Sequence, residues 1–265
     1  MNTRHAPDGT ALFRHEWEPT GPSRSTILLV HGLGEHSGRY EHVAGMLTAR
    51  GHTVIAPDLR GFGRSGGRRA HVAAWDHYLD DLAAEHASAR KRGRPLVLLG
   101  HSMGGLVALS YVLHRPKPDF LVLSAPALAN NLPRSKRIAA RVLGTVLPRL
   151  SIRNGLRGEQ LSTDPAVGER YFADPLVLQS TTLGLGCRAL AEADDCRDRL
   201  FGLTVPTLVL HGGDDSIVPP RASEPLAALA GVQRVVLPGL RHEIFNEGGG
   251  VVATRLMLDW LEPRL

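Results

Sequence analysis

The chain has 265 residues, 43% of them hydrophobic, and a formal net charge of +5. This composition excludes an intrinsically disordered, collagen-like or coiled-coil protein, and so modest a positive charge does not by itself indicate nucleic-acid binding. The two cysteines have neither metal-ligand spacing nor the number that a disulfide framework needs, and neither a secretory signal nor a membrane-spanning apolar run is visible. We therefore expect a soluble, cytoplasmic protein that binds no nucleic acid.

Short, continuously apolar segments alternate with stretches of helical spacing. Such segments are typical of strands buried on both faces of a parallel sheet, and the alternation predicts βαβ units with right-handed crossovers. A turn dipeptide, Asp8-Gly9, predicts an edge hairpin at the start of the chain. The predicted strands are 26–30, 52–56, 95–99, 120–123, 206–210 and 233–237, and the predicted helices are 40–50, 75–92, 103–114, 221–230 and 250–262.

Residues 127–203 interrupt this alternation. They are far more than the single helix that a crossover between neighbouring strands requires. We predict that they form a partly helical insertion over one edge of the sheet, and we call them the cap segment. The whole chain, residues 1–265, is then expected to be one domain.

A basic amphipathic stretch lies within the cap segment. Residues 134–157 contain seven basic residues and no acidic one, and apolar residues recur every four positions, at Ile138, Val142, Val146 and Leu150. One interpretation is a solvated helix packed on the core. The alternative is a lid that transiently contacts membrane or micelle surfaces, and exposed leucines of the cap segment are equally compatible with a homodimer.

The clearest indication of chemistry is the sequence Gly100-His101-Ser102-Met103-Gly104, between a predicted strand and a predicted helix. A sharp turn at this place holds the serine in a strained conformation, and the glycines allow other segments to approach closely. The hydroxyl group of Ser102 is then exposed at the carboxyl end of the sheet, where open α/β folds bind ligands. We predict that Ser102 is a nucleophile.

A serine nucleophile needs a base and an acid that orients the base, in the chain order serine, acid, histidine. Asp214 and Asp215 both follow the fifth long predicted strand, and the spacing to the Ile-Val pair behind them favours Asp215. His242 follows the last predicted strand and precedes the C-terminal helix. The predicted triad is Ser102, Asp215 and His242.

Acyl transfer also requires two backbone N–H groups that bind the developing oxyanion. The N–H group of Met103, directly after the nucleophile, is one expected donor. The other is the N–H group of Leu33, in the loop that follows the first long strand.

Six motifs occur together in this chain: HGLGEHSGRY (31–40), APDLRGFGRSGG (56–67), GHSMGG (100–105), SAPAL (124–128), HGGDDSIVP (211–219) and HEIFNE (242–247). This set resembles the monoacylglycerol lipase and lysophospholipase-like branch of the α/β-hydrolase superfamily. The resemblance implies a mostly parallel eight-stranded sheet flanked by helices, with a helical cap. It also implies hydrolysis of a monoacylglycerol or a similar ester, without a metal or organic cofactor.

The resemblance further assigns Glu35 and Arg39 to the polar end of the substrate pocket. An internal ion pair that only shapes the loop is the alternative for these two residues. Animal members carry a glycerol-contacting histidine three residues after the catalytic one, whereas this chain has Phe245 there. The glycerol site is therefore expected to depart from the family pattern.

Other residues and other activities complete the expectations. Asp58 and Arg60 are expected to be structural, and Cys187 and Cys196 to be free thiols. The same triad is compatible with a broad carboxylesterase, a lysophospholipase or an aminopeptidase-like amidase, since fold does not specify substrate. Outside enzymes, the alternative is a non-catalytic binding protein of hydrolase fold. Dehalogenase and epoxide hydrolase activities are disfavoured, because those relatives use an aspartate where Ser102 stands.

Overall fold

A central sheet organises the chain, which a computed structural model describes at residues 3–129 and 133–265. The strands of this part are β1 (Thr3–His5), β2 (Ala11–Trp17), β3 (Ser25–Val30), β4 (His52–Pro57), β5 (Leu96–His101), β6 (Phe120–Ser124), β7 (Ser151–Arg153), β8 (Ser180–Thr182), β9 (Thr207–Gly212) and β10 (Val232–Leu237). Eight of them form one sheet in the order β1-β2-β4-β3-β5-β6-β9-β10, and β7 pairs separately with β8.

The pairing of the strands confirms the predicted fold class. β1 and β2 form the predicted antiparallel hairpin, and β2 also pairs antiparallel with β4. All the other pairs of the large sheet are parallel. β3, β4, β5 and β9 are buried along their whole length, as their continuous apolar sequences predict. Each of the six predicted strands lies within two residues of an observed one.

The helices are α1 (Glu41–Ala49), α2 (Asp76–Arg90), α3 (Met103–His114), α4 (Arg134–Val146), α5 (Gly158–Leu161), α6 (Pro165–Ala173), α7 (Leu183–Asp198) and α8 (Val251–Leu261). Four of the five predicted helices agree with observed ones to within two residues. The fifth prediction, an α-helix at 221–230, is wrong, because Pro220–Ala228 forms a 3₁₀-helix. Pro225 lies inside it and has no N–H group for an α-helical hydrogen bond.

Helices cover both faces of the sheet. α2 and α3 contribute Tyr78 and Leu106 to the buried cluster on one face, and α1 and α8 contribute Leu47 and Met257 to the cluster on the other. Because helices cover both faces of the sheet, a ligand can approach it at the carboxyl ends of the parallel strands. Open α/β folds bind ligands at this edge.

The part of the chain between β6 and β9 contains α4 to α7 together with β7 and β8. α4 presents its apolar stripe to solvent, so the interpretation of this stripe as packed on the core is wrong. Arg137 and Arg141 on another face of α4 instead form ion pairs with Asp194 of α7. The exposed fractions are 54% for Ile138, 57% for Val142, 69% for Val146 and 50% for Leu150. Within the described residues, no helix is both long and apolar enough to cross a membrane.

Candidate active site

Ser102 occupies a tight turn between β5 and α3. Its backbone has φ 54° and ψ −117°, and such a conformation costs a non-glycine residue about 1–3 kcal/mol. Gly104 permits the turn to pack against β3, since a Cβ atom at this position would lie 2.3 Å from the carbonyl oxygen of Val30. The strained turn at Ser102 can therefore pack against β3 only because residue 104 is a glycine, as the sequence pattern predicts.

The three residues of the predicted triad lie together at the carboxyl edge of the sheet. The Oγ atom of Ser102 lies 2.9 Å from Nε2 of His242, and Nδ1 of His242 lies 2.7 Å from Oδ2 of Asp215. Asp215 and His242 lie on the loops that follow β9 and β10. Asp214 is exposed, so the structure brings Asp215 and not its neighbour to the histidine.

Asp215 is held as a carboxylate. Its Oδ1 atom accepts hydrogen bonds from the N–H groups of Ile217 and Val218, both at 2.9 Å. Burial opposes ionisation of Asp215, but attraction to His242 and the hydrogen bonds to the carboxylate hold its pKa well below the usual range. Burial likewise opposes protonation of His242, yet the Asp215 carboxylate raises the pKa of the histidine above its ordinary value of 6.5. Asp215 is therefore in place to stabilise the positive charge that His242 acquires when it accepts a proton.

The two predicted oxyanion donors flank Ser102. Leu33 and Met103 line the space around the serine, Leu33 from the loop after β3 and Met103 from the first position of α3. Within the described residues, neither backbone N–H group donates to a protein acceptor. Both N–H groups are thus free to donate to an oxyanion bound at Ser102.

Glu35 and Arg39 form a buried ion pair, and Glu243 shares the same guanidinium. Arg39 donates to Oε2 of Glu35 at 2.7 Å and to the two carboxylate oxygens of Glu243 at 2.7 and 2.6 Å. Oε1 of Glu35 accepts from the N–H group of Gly32 at 2.5 Å and from the Tyr40 hydroxyl at 2.8 Å. Although burial opposes its ionisation, the attraction of Arg39 lowers the pKa of Glu35 to about 2. The ion pair that the sequence left as an alternative is therefore present.

An apolar cavity of about 320 Å³ opens on one side of Ser102. Half of its lining residues belong to α7 and β8, and others come from elsewhere in the cap segment and from the loop after β9. The side chains at its wall include Leu183, Leu185, Leu190, Ile217 and Val218. A cleft of about 470 Å³ on the outer side of Arg39 is larger, but none of the triad residues lines it.

A smaller chamber of about 70 Å³ lies on the other side of Ser102. Much of its wall consists of leucine and isoleucine side chains, and we call it the polar chamber because two buried carboxylates also line it. Its wall includes Glu35, Glu243 and Tyr171 as well as His242. The Tyr171 ring packs under the guanidinium of Arg39, with 4.7 Å between the guanidinium carbon and the ring centroid. Within the described residues the buried Tyr171 hydroxyl has no hydrogen-bond partner, so it is available to a ligand.

Sequence reasoning did not assign Glu243 and Tyr171 to the site. Glu243 belongs to the HEIFNE motif, but its partner Arg39 is 204 positions away, and no local pattern indicates that contact. Tyr171 lies in α6 of the cap segment, where sequence patterns are least specific. Phe245, at the position of the family's glycerol-contacting histidine, is buried in the core beside α1 and α8 and does not line the chamber.

Asp58 and Arg60 have structural contacts, as expected. Asp58 accepts hydrogen bonds from the backbone N–H groups of Ser37 and Arg64, at 2.8 and 2.7 Å. Arg60 donates two hydrogen bonds to Asp81, at 2.6 and 2.7 Å. These bonds fix the loop after β4 beneath the site.

Both cysteines lie on α7 and are free thiols, Cys187 half-buried and Cys196 buried. One group of potential metal ligands occurs within the described residues, formed by His114, Glu192 and Asp195 at the end of α3 remote from Ser102. His114 is paired with Asp195 at 3.2 Å. This group has no contact with the triad.

Comparison with known proteins places the chain in a family. The family model described as serine aminopeptidase, S33, matches residues 21–249. A monoacylglycerol lipase of Mycolicibacterium smegmatis is 35% identical over 97% of this chain and 95% of its own length. The human monoglyceride lipase is 36% identical over 91% of this chain and 82% of its own length.

A solved structure gives the same result. The crystal structure of the Paleococcus ferrophilus monoacylglycerol lipase aligns with a TM-score of 0.85 and 33% identity, covering 94% of this chain and 98% of the other. The family, the fold and the ester-hydrolase class that the motifs predicted are thereby confirmed. The chain belongs to the serine aminopeptidase S33 family of α/β-hydrolases, within its monoacylglycerol lipase branch.

Proposed function

We propose that this hydrolase cleaves monoacylglycerols to a fatty acid and glycerol through an acyl-enzyme on Ser102. The observation that carries the proposal is that two unlike cavities meet at Ser102, an apolar one of about 320 Å³ and a smaller one of about 70 Å³ whose wall includes two carboxylates and Tyr171. A monoacylglycerol has the same division, since its ester bond joins a long apolar chain to a small polyol. The ester carbon would lie at Ser102, the chain in the apolar cavity and the glycerol in the polar chamber.

The reaction proceeds in two halves. His242 takes the proton from Ser102 as the serine oxygen attacks the ester carbonyl, and the N–H groups of Leu33 and Met103 stabilise the oxyanion. Asp215 holds the imidazole in the required tautomer and stabilises the imidazolium. The C–O bond to the alcohol then breaks, glycerol leaves with the proton from His242, and water hydrolyses the acyl-enzyme in the reverse sequence of proton transfers.

The polar chamber suits a neutral polyol. Glu35 and Glu243 offer carboxylate oxygens that accept hydrogen bonds, and the Tyr171 hydroxyl both donates and accepts. Glu35 therefore has two roles in this proposal, as a partner in the ion pair that shapes the loop and as part of the wall of the alcohol site. Arg39 acts from behind this wall, by holding the carboxylates of Glu35 and Glu243 in place. Because this chain has Phe245 at the position of the animal enzymes' histidine, the chamber lacks that histidine. Tyr171 and Glu243 supply polar contacts instead.

The cap segment, residues 127–203, is proposed to be an insertion within one hydrolase domain of residues 1–265. Its α4 carries an exposed apolar stripe, and the stretch 134–157 has seven basic residues and no acidic one. Apolar side chains that enter the acyl boundary and cations that attract anionic headgroups favour binding to a lipid surface. We propose transient contact of α4 with membranes or micelles on the cytoplasmic side, rather than a homodimer.

A substrate panel tests the activity. The wild type and Ser102→Ala are assayed on monoacylglycerols of several chain lengths, a lysophospholipid, a short p-nitrophenyl ester and an aminoacyl anilide. We expect the highest kcat/KM for a monoacylglycerol and loss of all turnover in Ser102→Ala. Rapid cleavage of only the short ester would retain the triad and reject the lipid substrate, and turnover unaffected by Ser102→Ala would reject the nucleophile.

Vesicle flotation tests the lipid contact. Val142→Ser with Val146→Ser is compared with the wild type on vesicles containing anionic lipid, and Val251→Ser with Val252→Ser at the exposed start of α8 is the matched control. We expect only the α4 variant to lose binding. Equal binding by all three proteins, or a dimer of the wild type that the α4 substitutions dissociate, would contradict the lipid contact.

A further inference from the structure

The polar chamber has an unbalanced charge. Glu35 and Glu243 both line it, and their side chains are only 2% and 3% exposed. Both carboxylates use the same single cation, Arg39, whose side chain is 9% exposed. Two carboxylates and one guanidinium leave a formal charge of −1 at the wall of a site shielded from water.

The other titratable groups at the chamber wall do not neutralise this charge. His242 lines the chamber, but any positive charge on it is matched by the Asp215 carboxylate that it contacts, so this pair adds no net positive charge. The residues that line the chamber include no lysine and no arginine within the described part of the chain. Burial lowers the pKa of His101 to about 3, and the imidazole is therefore neutral. Since low-dielectric surroundings strengthen electrostatic interactions, an alcohol group bound here experiences the unbalanced carboxylate.

We propose that the enzyme also hydrolyses fatty acyl esters of small cationic alcohols, the class of 2-aminoethanol and its N-methyl derivatives. The ammonium group would bind against Glu243, and the hydroxyl of Tyr171 would contact the same alcohol. Esters whose alcohol carries an anion are disfavoured by the same charge. This inference rests on the proposed function, because it uses the same acyl-enzyme and the same assignment of the polar chamber to the alcohol.

The reaction needs no new chemistry. The C–O bond between the acyl carbon and the amino alcohol breaks, and His242 gives the leaving oxygen the proton that it took from Ser102. Water then releases the fatty acid. The ammonium group keeps its own proton throughout and acts only in binding.

The size of the alcohol also fits. N,N-dimethyl-2-aminoethanol and glycerol have the same number of non-hydrogen atoms, so a chamber that accepts one has room for the other. Neutral and anionic alcohols of the same size exist, 3-methylbutanol and 3-hydroxypropanoate. A series of these three esters with one acyl chain therefore varies the charge of the alcohol at nearly constant volume.

The experiment measures kcat/KM for the decanoyl esters of these three alcohols and for monodecanoylglycerol, at neutral pH. For the wild type we expect the cationic ester to exceed its neutral isostere by about tenfold and the anionic ester to be the poorest substrate. Glu243→Gln should reduce the ratio of cationic to neutral ester by about tenfold. Glu224→Gln, an exposed substitution on the 3₁₀-helix after β9 that changes the net charge equally, should leave the ratio unchanged.

The outcomes separate the two proposals. A wild-type ratio of cationic to neutral ester at or below one overturns the inference, even if Glu243→Gln does not fold, while turnover of monodecanoylglycerol would still support the proposed function. A ratio that Glu243→Gln and Glu224→Gln reduce equally overturns the assignment to Glu243. Absence of monoacylglycerol turnover beside rapid hydrolysis of the cationic ester would reject the proposed function alone.

Discussion

The two sides of Ser102 are built in opposite ways. The apolar cavity is formed mainly by the cap segment, in which α7 and β8 supply half of the lining residues, and most side chains at its wall are apolar. The polar chamber is formed largely by loops at the carboxyl edge of the sheet, and its charged residues are tied together by ion pairs of 2.6–2.7 Å. One side therefore accepts different shapes, whereas the other presents fixed groups to a small ligand.

This contrast predicts where substitutions should act. Packing against an apolar wall gains about 0.8 kcal/mol for each buried methylene and depends on volume. A buried network of charges loses several kcal/mol when one member is removed, because its partners stay buried. The two sides should thus respond to different substitutions and affect different parts of the substrate.

The largest effect on kcat is expected at the catalytic triad, because every ester depends on it. Asp215→Asn should reduce kcat about 10⁴-fold for every ester, since the imidazole loses the carboxylate that holds its tautomer. Asp214→Asn, at the exposed neighbouring position, is the matched control and should remain within about twofold of the wild type. Equal losses in the two variants would show that Asp215 is not the orienting acid.

Among substitutions around the polar chamber, removal of the Arg39 guanidinium should destabilise the protein most. Arg39→Met should reduce the free energy of unfolding by about 3–5 kcal/mol, because Glu35 and Glu243 would stay buried without a counter-charge. Urea denaturation measures this loss. Adding Glu35→Gln and Glu243→Gln to Arg39→Met should restore part of it. A loss below about 1 kcal/mol, the range of exposed pairs, would contradict the picture of a buried network.

A glycine at the wall of the apolar cavity allows a test of whether the cavity holds the acyl chain. Gly186 lies in α7 and lines the cavity, and a Cβ atom there would meet nothing within 4 Å. Gly186→Leu should fill space that an acyl chain uses and reduce kcat/KM for a hexadecanoyl ester about 10- to 100-fold, while a butanoyl ester is hydrolysed as before. The substitution also favours the helix, since leucine has the higher helix propensity.

Gly45 provides the control for this prediction. It is an exposed helical glycine in α1 with the same open surroundings, and Gly45→Leu should change neither ester's kcat/KM. A uniform loss across chain lengths in Gly186→Leu would show that the cavity does not hold the acyl chain.

The smallest expected effect is a shift of the pH profile, caused by the influence of Glu243 on the base His242. The acid limb of kcat/KM against pH reports His242 in the free enzyme. Because only the neutral imidazole accepts the proton, activity should fall as pH decreases through a pKa above 6.5. Burial lowers that pKa while the Asp215 carboxylate and, to a smaller extent, Glu243 raise it, so Glu243→Gln should move the limb to lower pH. If the acid limb lies at the same pH in Glu243→Gln as in the wild type, Glu243 does not influence the pKa of His242.

The sheet and the core side of the site were predictable from sequence because their signals are local. Continuous apolar runs locate the buried strands, and Ser102, Asp215 and His242 each lie on a loop after one of them. The prediction failed at 221–230, where Pro225 prevents an α-helix.

The cap side was not predictable in the same way. The periodicity of Ile138 and Val142 indicates an amphipathic helix, but it does not reveal which face meets the protein. Two arginines of α4 pair with Asp194, more than fifty positions away, on the side of α4 that meets α7, and the apolar stripe is exposed. The contact of Arg39 with Glu243 is likewise long-range, so the charge of the polar chamber emerges only from the fold.

Both sides of the site are expected to serve one acyl-enzyme on Ser102, from which the alcohol has left before water attacks. The direct measurement adds methanol and determines the ratio of fatty acid methyl ester to free fatty acid formed from monodecanoylglycerol and from p-nitrophenyl decanoate. A shared acyl-enzyme predicts the same ratio from both substrates, and Ser102→Ala should form neither product. A ratio that depends on the leaving alcohol would contradict the account.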